Sequence, residues 1–320
     1  MIVQPLVSVL IPAYNAENWI GEAIDSCLNQ SWTNIEIIVV NDGSVDATWS
    51  VVQRYSAQQR VILIDQLNKG ASAARNRAFQ ESKGQFIQYL DADDLLDREK
   101  IAIQMKRVLA TSENYLHSSE WSFFYTNELK EKNPIENPLF KDFDSPVNWL
   151  IEAWTKKAWM QPSAWLVPRK LIDAAGPWNE QLSLHDDGEF FCRVLLQSKG
   201  VKFSEGAKSY YRKGIESSLS GQVSRRAVIS HFTVCELYTR YVLQKENSSR
   251  TKKACATNYQ DFQYTYYPFY SKYTHLAANE VKRLGGSDSK IAGGPVFLFF
   301  VKLAGWKLAK RMQIATNKLK

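Results

Sequence analysis

The sequence predicts an α/β protein: a mostly parallel sheet flanked by helices, followed by a mostly helical C-terminal extension. Three observations predict it. Four short apolar runs alternate with amphipathic segments before residue 111. The runs are continuously apolar, as in strands buried on both faces. Each run ends in polar, turn-forming residues.

The first run, "LVSVLIPAYN", is β-branched and is expected to stop at Pro12. "AENWIGEAIDSCLNQ" places Trp19, Ile20, Ala23, Ile24, Cys27 and Leu28 on one helical face. "IEIIVVNDGS" is the second strand, bounded by Asp42-Gly43. Ser44 or Asp46 is the expected cap of the next helix, "ATWSVVQRYSAQ". "VILIDQ" is a third strand and the Ala-rich "GASAARNRAFQES" a third helix. "QFIQYL" and "DREKIAIQMKRVLA" complete the series.

Right-handed crossovers put all four strand ends on one rim. Those ends are Pro12-Ala13-Tyr14-Asn15, Asn41-Asp42-Gly43-Ser44, Asp65-Gln66-Leu67-Asn68 and Asp91-Ala92-Asp93-Asp94. In open parallel sheets, ligands bind beyond the carboxyl ends of the strands.

From about Ser112 the pattern changes. "YLHSSEWSFFYTNELKEKNP" reads as a strand or hairpin. Helix, strand and helix follow, with five tryptophans from Trp149 to Trp178. Beyond Arg225 the chain reads as helical and Tyr-rich. The expected division is an α/β domain over 1–220, with a change of pattern near 110, and a helical region over 221–320.

The 320 residues carry 45% hydrophobic and 23% charged side chains, ordinary for a globular chain. A net charge of +7 favours anionic partners without choosing among them. It is the sole support for nucleic-acid binding, which is not expected. Cys27, Cys192, Cys235 and Cys255 are widely spaced and expected to be reduced, buried thiols. No Cys/His cluster suggests zinc. No GxGxxG follows the first strand and no GxxxxGK[ST] occurs, which disfavours dinucleotide oxidoreductases and P-loop NTPases. "MIVQPLVSVLIPAYN" reads as a strand, not a signal peptide. "PVFLFFV" falls short of the roughly 20 residues that span a bilayer.

Two acidic clusters invite chemistry. Asp91, Asp93 and Asp94 repel one another, and a divalent cation relieves that. Asp oxygens suit Mg²⁺ or Mn²⁺. Capping of the next helix by Asp94 or Asp97 is the other reading. In "SLHDDGEFFCRVLLQ", Asp186 and Asp187 stand where a helix begins. They are either N-terminal caps or a general base at a pocket edge. Asp42-Gly43-Ser44 is either a plain turn or a base-binding carboxylate. Lys69 and Arg75 are either a solvated basic face or phosphate contacts.

Taken in order, "VSVLIPAYN", "IEIIVVNDGSVDAT", "NKGASAARNRA", "QFIQYLDADDLLD" and "GPWNEQLSLHDDGEFFCRVL" resemble the inverting family 2 glycosyltransferases with a GT-A fold. The resemblance covers roughly residues 5 to 220 and implies a catalytic domain over 1–220, with a nucleotide-binding half, 1–110, and an acceptor-binding half, 111–220. It implies a nucleotide-sugar donor, usually a UDP-sugar, with Mg²⁺ or Mn²⁺. Pro12, Tyr14 and Asn15 would line the base and ribose pocket, and Asp42 would hold the pyrimidine. Gly70 and Arg75 match the motif beside the nucleotide. Asp93 would be the principal metal ligand and Asp91 would contact ribose or metal, with Asp94 supporting the loop. Asp187 matches the catalytic base and Asp186 its acidic predecessor. Arg212, in "SYYRKGIESSLS", matches a loop near the diphosphate. Many relatives have Glu-Asp at 186–187 and Gly-Gly-Phe at 176–178, which bears on acceptor geometry.

The function so implied is metal-dependent, inverting transfer of a hexosyl group from a nucleotide sugar to a glycan or lipid-linked acceptor, in surface polysaccharide or glycoconjugate synthesis. The alternative is a non-catalytic nucleotide-sugar or glycan-binding protein on the same scaffold. Trp149, Trp154, Trp159 and Trp165 either line an acceptor cleft or pack the core. Residues 289–320 hold seven Lys or Arg and no acidic residue. On one helix, Phe297, Val301, Ala304, Leu308 and Met312 would form a stripe opposite Lys302, Lys307, Lys310 and Arg311. Such a helix lies on an anionic membrane or docks on the body with a basic outer face. The expected location is cytoplasmic, with peripheral contact at the inner face of the cytoplasmic membrane.

Overall fold

The computed structural model describes residues 4–125, 135–214 and 224–317. They fall into two compact units. One runs from residue 4 to Ala153 and from Ala158 to residue 214. The other joins Trp154–Lys157 with residues 224–317. The expected boundary at 220/221, and part of the aromatic stretch after Tyr125, lie outside the described residues.

In the first unit, β1 (Val7–Ala13), β2 (Ile35–Asp42), β3 (Val61–Gln66) and β4 (Phe86–Tyr89) are the four apolar runs. The sheet order is β3-β2-β1-β4-β7, with β7 spanning Val167–Pro168. All pairings are parallel except β4 with β7. β1 passes through Pro12, opposite Val40, rather than stopping there. The helices between the strands are α1 (Ile20–Leu28), α2 (Thr48–Gln53) and α3 (Ala71–Glu81). The core on one face joins Val7, Val9 and Ile11 of β1 with Ile20, Ile24 and Cys27 of α1.

A second sheet follows the fourth strand. It has the order β5-β8-β6, from β5 (Leu95–Leu96), β6 (Leu116–Tyr125) and β8 (Val201–Lys213). β6 pairs in parallel with β8, so its partner is distant in sequence. α4 (Lys100–Ala110), α5 (Pro146–Lys156), α6 (Arg169–Ala175) and α7 (Asp186–Gln197) complete the unit. Lys100 is fully buried, with Nζ donating to Gln88 and Gln104. Burial pushes its ammonium well below the usual lysine range.

The second unit holds α8 (Arg225–Lys245), α9 (Ser249–Tyr266), α10 (Ser271–Arg283) and α11 (Pro295–Asn317). Ser224 caps α8, and Ser248 with Thr251 forms a capping box on α9. Phe232, Cys235, Tyr259 and Phe262 are buried. All four cysteines are free and buried. The single stripe expected in the tail does not form. Gly305 (φ 77°, ψ 157°) breaks α11, so residues before and after it lose a common helical phase. Trp306 packs on Tyr264 and Tyr267. Val296, Phe299, Leu303, Leu308 and Met312 are exposed. No helix among the described residues is long and apolar enough to cross a membrane.

Candidate active site

The carboxyl ends of β1 and β2 are laced together. Asn15, in the left-handed region (φ 48°), donates its backbone N–H to Ser44 Oγ (3.0 Å). Its Oδ1 accepts from Val45 N (3.0 Å). Tyr14, just past β1, leaves its ring 51% exposed. Asp46 rather than Ser44 takes up the N–H of Thr48 at the start of α2 (2.9 Å).

Asp42 and Gly70, separate motifs in the sequence, are in direct contact. Asp42 Oδ2 accepts from Gly70 N (2.8 Å), and Oδ1 from Lys69 N (2.9 Å) and Gln66 Nε2 (2.7 Å). Asp42 is almost wholly buried, so any base N–H must share these oxygens. Gly43 permits the approach: with φ 69°, a Cβ there would lie 2.6 Å from Asn68 N. Asp65 accepts from Asn41 (2.7 Å) on the wall of a shallow cavity of about 440 Å³.

The Asp91–Asp94 turn is held from two sides. Asp94 N donates to Asp91 O (3.1 Å). Asp91 Oδ1 pairs with Arg75 Nη2 (2.8 Å). Asp94 is buried and accepts the backbone N–H of Arg212 (3.0 Å). Arg212 was expected near the diphosphate; its side chain is buried under the turn. Nε donates to Asp93 O (2.8 Å), and Nη2 pairs with Glu22 (2.6 Å). The guanidinium lies between the rings of Trp19 (4.5 Å) and Phe124 (4.4 Å). Burial, reinforced by Asp91, pushes the Asp93 carboxyl up to about 6. Burial, then Asp93 and Asp91, raises Asp94 well above the carboxylate range. Asp97, not Asp94, serves the next helix, accepting from Glu99 N (3.0 Å).

The second acidic pair opens α7. His185 adopts the left-handed conformation (φ 59°) just before it, so Asp186 and Asp187 stand in the first turn rather than capping it. Asp186 Oδ2 accepts from Ser72 Oγ (2.8 Å) and Arg75 Nη1 (3.2 Å). Asp187 accepts its neighbour's N–H, Gly188 (2.7 Å). Burial, then the charge of Asp186, pushes Asp187 up to about 6.

Arg75 is therefore the joint of the site. It is buried, spans Asp91 and Asp186, and lies 4.5 Å over the Trp178 ring. Asn76 fixes Trp178 with two hydrogen bonds to its backbone, at 2.8 and 3.0 Å. Trp178 stacks on Phe190 of α7 (4.1 Å). The sequence signalled Arg75 but not its double pairing, and it did not signal Ser72 or Glu22. The small residues of "GASAAR" were the available sign that α3 approaches closely.

Among the described residues no group of three or more His, Cys, Asp or Glu is assembled as a metal cage. Asp91 and Asp93 supply two carboxylates. Asp93 is raised by burial and by Asp91, a tension a cation relieves. Such a donor set fits Mg²⁺ or Mn²⁺, which bind through one or two carboxylates and keep places for water and substrate phosphates.

A parallel sheet with an acidic turn at its rim, facing a second acidic pair at a helix start, defines a glycosyltransferase of GT-A fold. The sequence profile of Glycosyl transferase family 2 matches residues 8–148. Residues 8–148 belong to that family. It is 43% identical over 225 residues to the uncharacterized glycosyltransferase EpsJ of Bacillus subtilis, covering 67% of this chain and 62% of EpsJ. It is 29% identical over 209 residues to WfaP of Escherichia coli, named a UDP-Glc:alpha-D-GlcNAc-diphosphoundecaprenol beta-1,3-glucosyltransferase; the match covers 65% and 77% of the two chains. Against glycosyltransferase GlyA of Streptococcus pneumoniae the identity is 33% over 171 residues. That match covers 49% of this chain, which thus spans only 25% of the length of GlyA. The fold matches S. aureus TarS 1-349 solved in complex with UDP-GlcNAc, with TM-score 0.61 at 17% identity over 90% of this chain and 95% of that one. It also matches the mannosyltransferase PcManGT of Pyrobaculum calidifontis, solved with GDP-Man and Mn²⁺, with TM-score 0.55 at 15% identity over 97% and 84%.

Proposed function

We propose that the protein is a metal-dependent, inverting glycosyltransferase that moves a hexosyl group from a UDP-sugar to a hydroxyl of a glycan or lipid-linked acceptor. The observation that carries this reading is the Asp91–Arg75–Asp186 bridge. It ties the acidic turn of β4 to the start of α7, which supports assigning Asp93 and Asp187 to one substrate. The printed activity of WfaP, a UDP-Glc donor and a diphosphoundecaprenol acceptor, supports the substrate classes. The Mn²⁺ and GDP-Man bound by PcManGT support a cation beside a nucleotide sugar.

In this mechanism the exposed Tyr14 ring stacks on the base. Pro12 and Asn15 shape the ribose side, and Asp42 with Gly70 receives the base edge and the backbone beside it. Asp93, with Asp91, would hold Mg²⁺ or Mn²⁺, which when bound would supply positive charge to offset that of the diphosphate. Asp187 takes the proton of the acceptor hydroxyl. The freed oxygen forms a bond to the anomeric carbon as the bond from that carbon to the diphosphate oxygen breaks, in one in-line step that inverts the centre. Arg75 keeps Asp186 paired, so that Asp187 is the carboxylate available for the proton. Arg212 acts at one remove, by fixing the Asp93 backbone. The proposal extends to residues 289–320 as a basic contact with an anionic membrane at its cytoplasmic face, beside lipid-linked acceptors of surface polysaccharide synthesis.

The test is UDP release from a panel of UDP-sugars, with Mn²⁺ and with chelator. Metal-dependent release from one sugar is expected. No release from any sugar with Mn²⁺ and a mixed glycan acceptor pool overturns the reading in favour of a binding protein.

A further inference from the structure

Of the four tryptophans put forward for an acceptor cleft, Trp149 and Trp165 are buried against each other and the α7 aromatics. Trp154 belongs to the second unit, beside Tyr238. Trp159 alone of the four is open, 46% exposed. Its position is nonetheless fixed. The buried Trp121 lies 4.3 Å away, tilted by 43°. Tyr211 meets it edge-on at 6.1 Å. Phe123 locks these two from behind, edge-on to Trp121 (5.2 Å) and Tyr211 (5.8 Å). The segment itself is tied down at both sides. Asn137 Nδ2 donates to Trp159 O (3.0 Å), and Gln161 Nε2 donates to Ser209 Oγ (2.9 Å).

A large apolar ring left in water costs free energy, and a mobile one would fold onto the surface. Here the surrounding rings hold it open. Tyr211 and Lys213 flank Arg212 on β8, and alternate strand residues face opposite sides. Arg212 faces the acidic turn, while Lys213 lays its ammonium over Phe123 (4.7 Å) and Tyr211 (5.2 Å). The aromatic cluster therefore sits at the carboxyl end of the strand that fixes Asp93, separated from the turn by that strand.

We propose that Trp159, backed by Trp121 and flanked by Tyr211 and Lys213, is a stacking platform for a pyranose ring of the acceptor, across β8 from the acidic turn. The inference rests on the transferase reading above. The C–H face of a pyranose is weakly positive and apolar, matched to the negative π-face of indole. Lys213 supplies a donor for the ring hydroxyls at the edge.

The probes are methyl glucoside and methyl N-acetylglucosaminide, added to the full chain with UDP and Mn²⁺ and read by saturation-transfer NMR. Transfer to the ring protons of at least one glycoside is expected. Trp159→Ala should weaken it about tenfold, equivalent to about 1.4 kcal/mol. Trp159→Phe should retain most of it, because an aromatic face remains. UDP affinity, by calorimetry, should be unchanged in both variants. Full transfer in Trp159→Ala, or none to either glycoside in the unaltered protein, overturns the platform. So does a Trp159→Ala protein whose one change is loss of self-association, since the face would then belong to a second copy. Loss of UDP binding in the unaltered protein sinks the donor reading instead.

Discussion

Arg212 donates its Nε–H to the carbonyl oxygen of Asp93, 119 residues earlier, at 2.8 Å. The same residue gives its backbone N–H to Asp94 and its Nη2 to Glu22. A single buried guanidinium thus sets the conformation of the turn without using any oxygen of the Asp93 carboxylate.

The first prediction tests that role. Arg212→Lys keeps the charge but cannot span Asp93 O and Glu22 in one plane. Mn²⁺-dependent UDP binding is expected to weaken about tenfold, with the melting temperature lowered by several degrees. Calorimetry without Mn²⁺ separates the effects, because a guanidinium that met the diphosphate directly would weaken metal-free UDP binding equally.

Asp93→Asn should behave as a trade. Its carboxyl is pushed up to about 6 from the ordinary 3.8, so the folded protein holds that proton more tightly than the unfolded chain. The ionised group therefore costs stability above pH 6, and the cost vanishes below about pH 4. In chelator at pH 7.5, Asp93→Asn is expected to be more stable by about 1 kcal/mol. In Mn²⁺ it should lose metal-dependent UDP binding. Denaturant melts at pH 7.5 and pH 4, with and without Mn²⁺, check both halves.

As the proposed base, Asp187 is expected to carry the pH dependence of turnover. Its carboxyl is pushed up to about 6, and a base acts only when deprotonated. The rate should fall with decreasing pH through about 6, with unit slope. Asp187→Asn should keep UDP affinity within twofold yet lower turnover by roughly 10²–10⁴. A variant with near-normal turnover would move the base to another residue, with Asp186 disfavoured by its pairing to Arg75.

The parallel sheet was legible because strands buried on both faces must read as unbroken apolar runs. "VILIDQ" matches β3 residue for residue, and β2 follows "IEIIVVNDGS" as far as Asp42. The positions of the acidic turn and of Asp187 were legible because one closes an apolar strand and the other opens an apolar helix. The partner of β6 was not, since the parallel β6–β8 pairing joins segments some eighty residues apart, and local pattern carries no such register. Nor was the inward direction of Arg212 legible. Alternation says that Tyr211 and Arg212 part company, but the packing of Trp19 and Phe124 against the guanidinium decides which of them faces the turn. The tail stripe failed for a backbone reason: Gly305 alone of its residues takes φ 77°, and one such residue resets the helical phase.

That break sharpens the last prediction. Before Gly305, α11 is apolar apart from Lys302, and Val296, Phe299 and Leu303 are exposed together at helical spacing. After it, Trp306 anchors on Tyr264 and Tyr267, while Lys307 and Arg311 gather over Tyr267. An apolar face followed by a cationic one suits the headgroup boundary of an anionic bilayer, where each basic residue near the surface adds about 1 kcal/mol. Flotation with phosphatidylglycerol vesicles should carry the protein, and neutral phosphatidylcholine vesicles should carry it poorly. Phe299→Asp with Leu303→Asp should abolish flotation on both while leaving UDP binding intact. Lys307→Gln with Arg311→Gln should weaken flotation on anionic vesicles alone, and the difference should shrink in high salt. Equal flotation of all three proteins would mean that the helix docks on the body instead, with its basic side toward water.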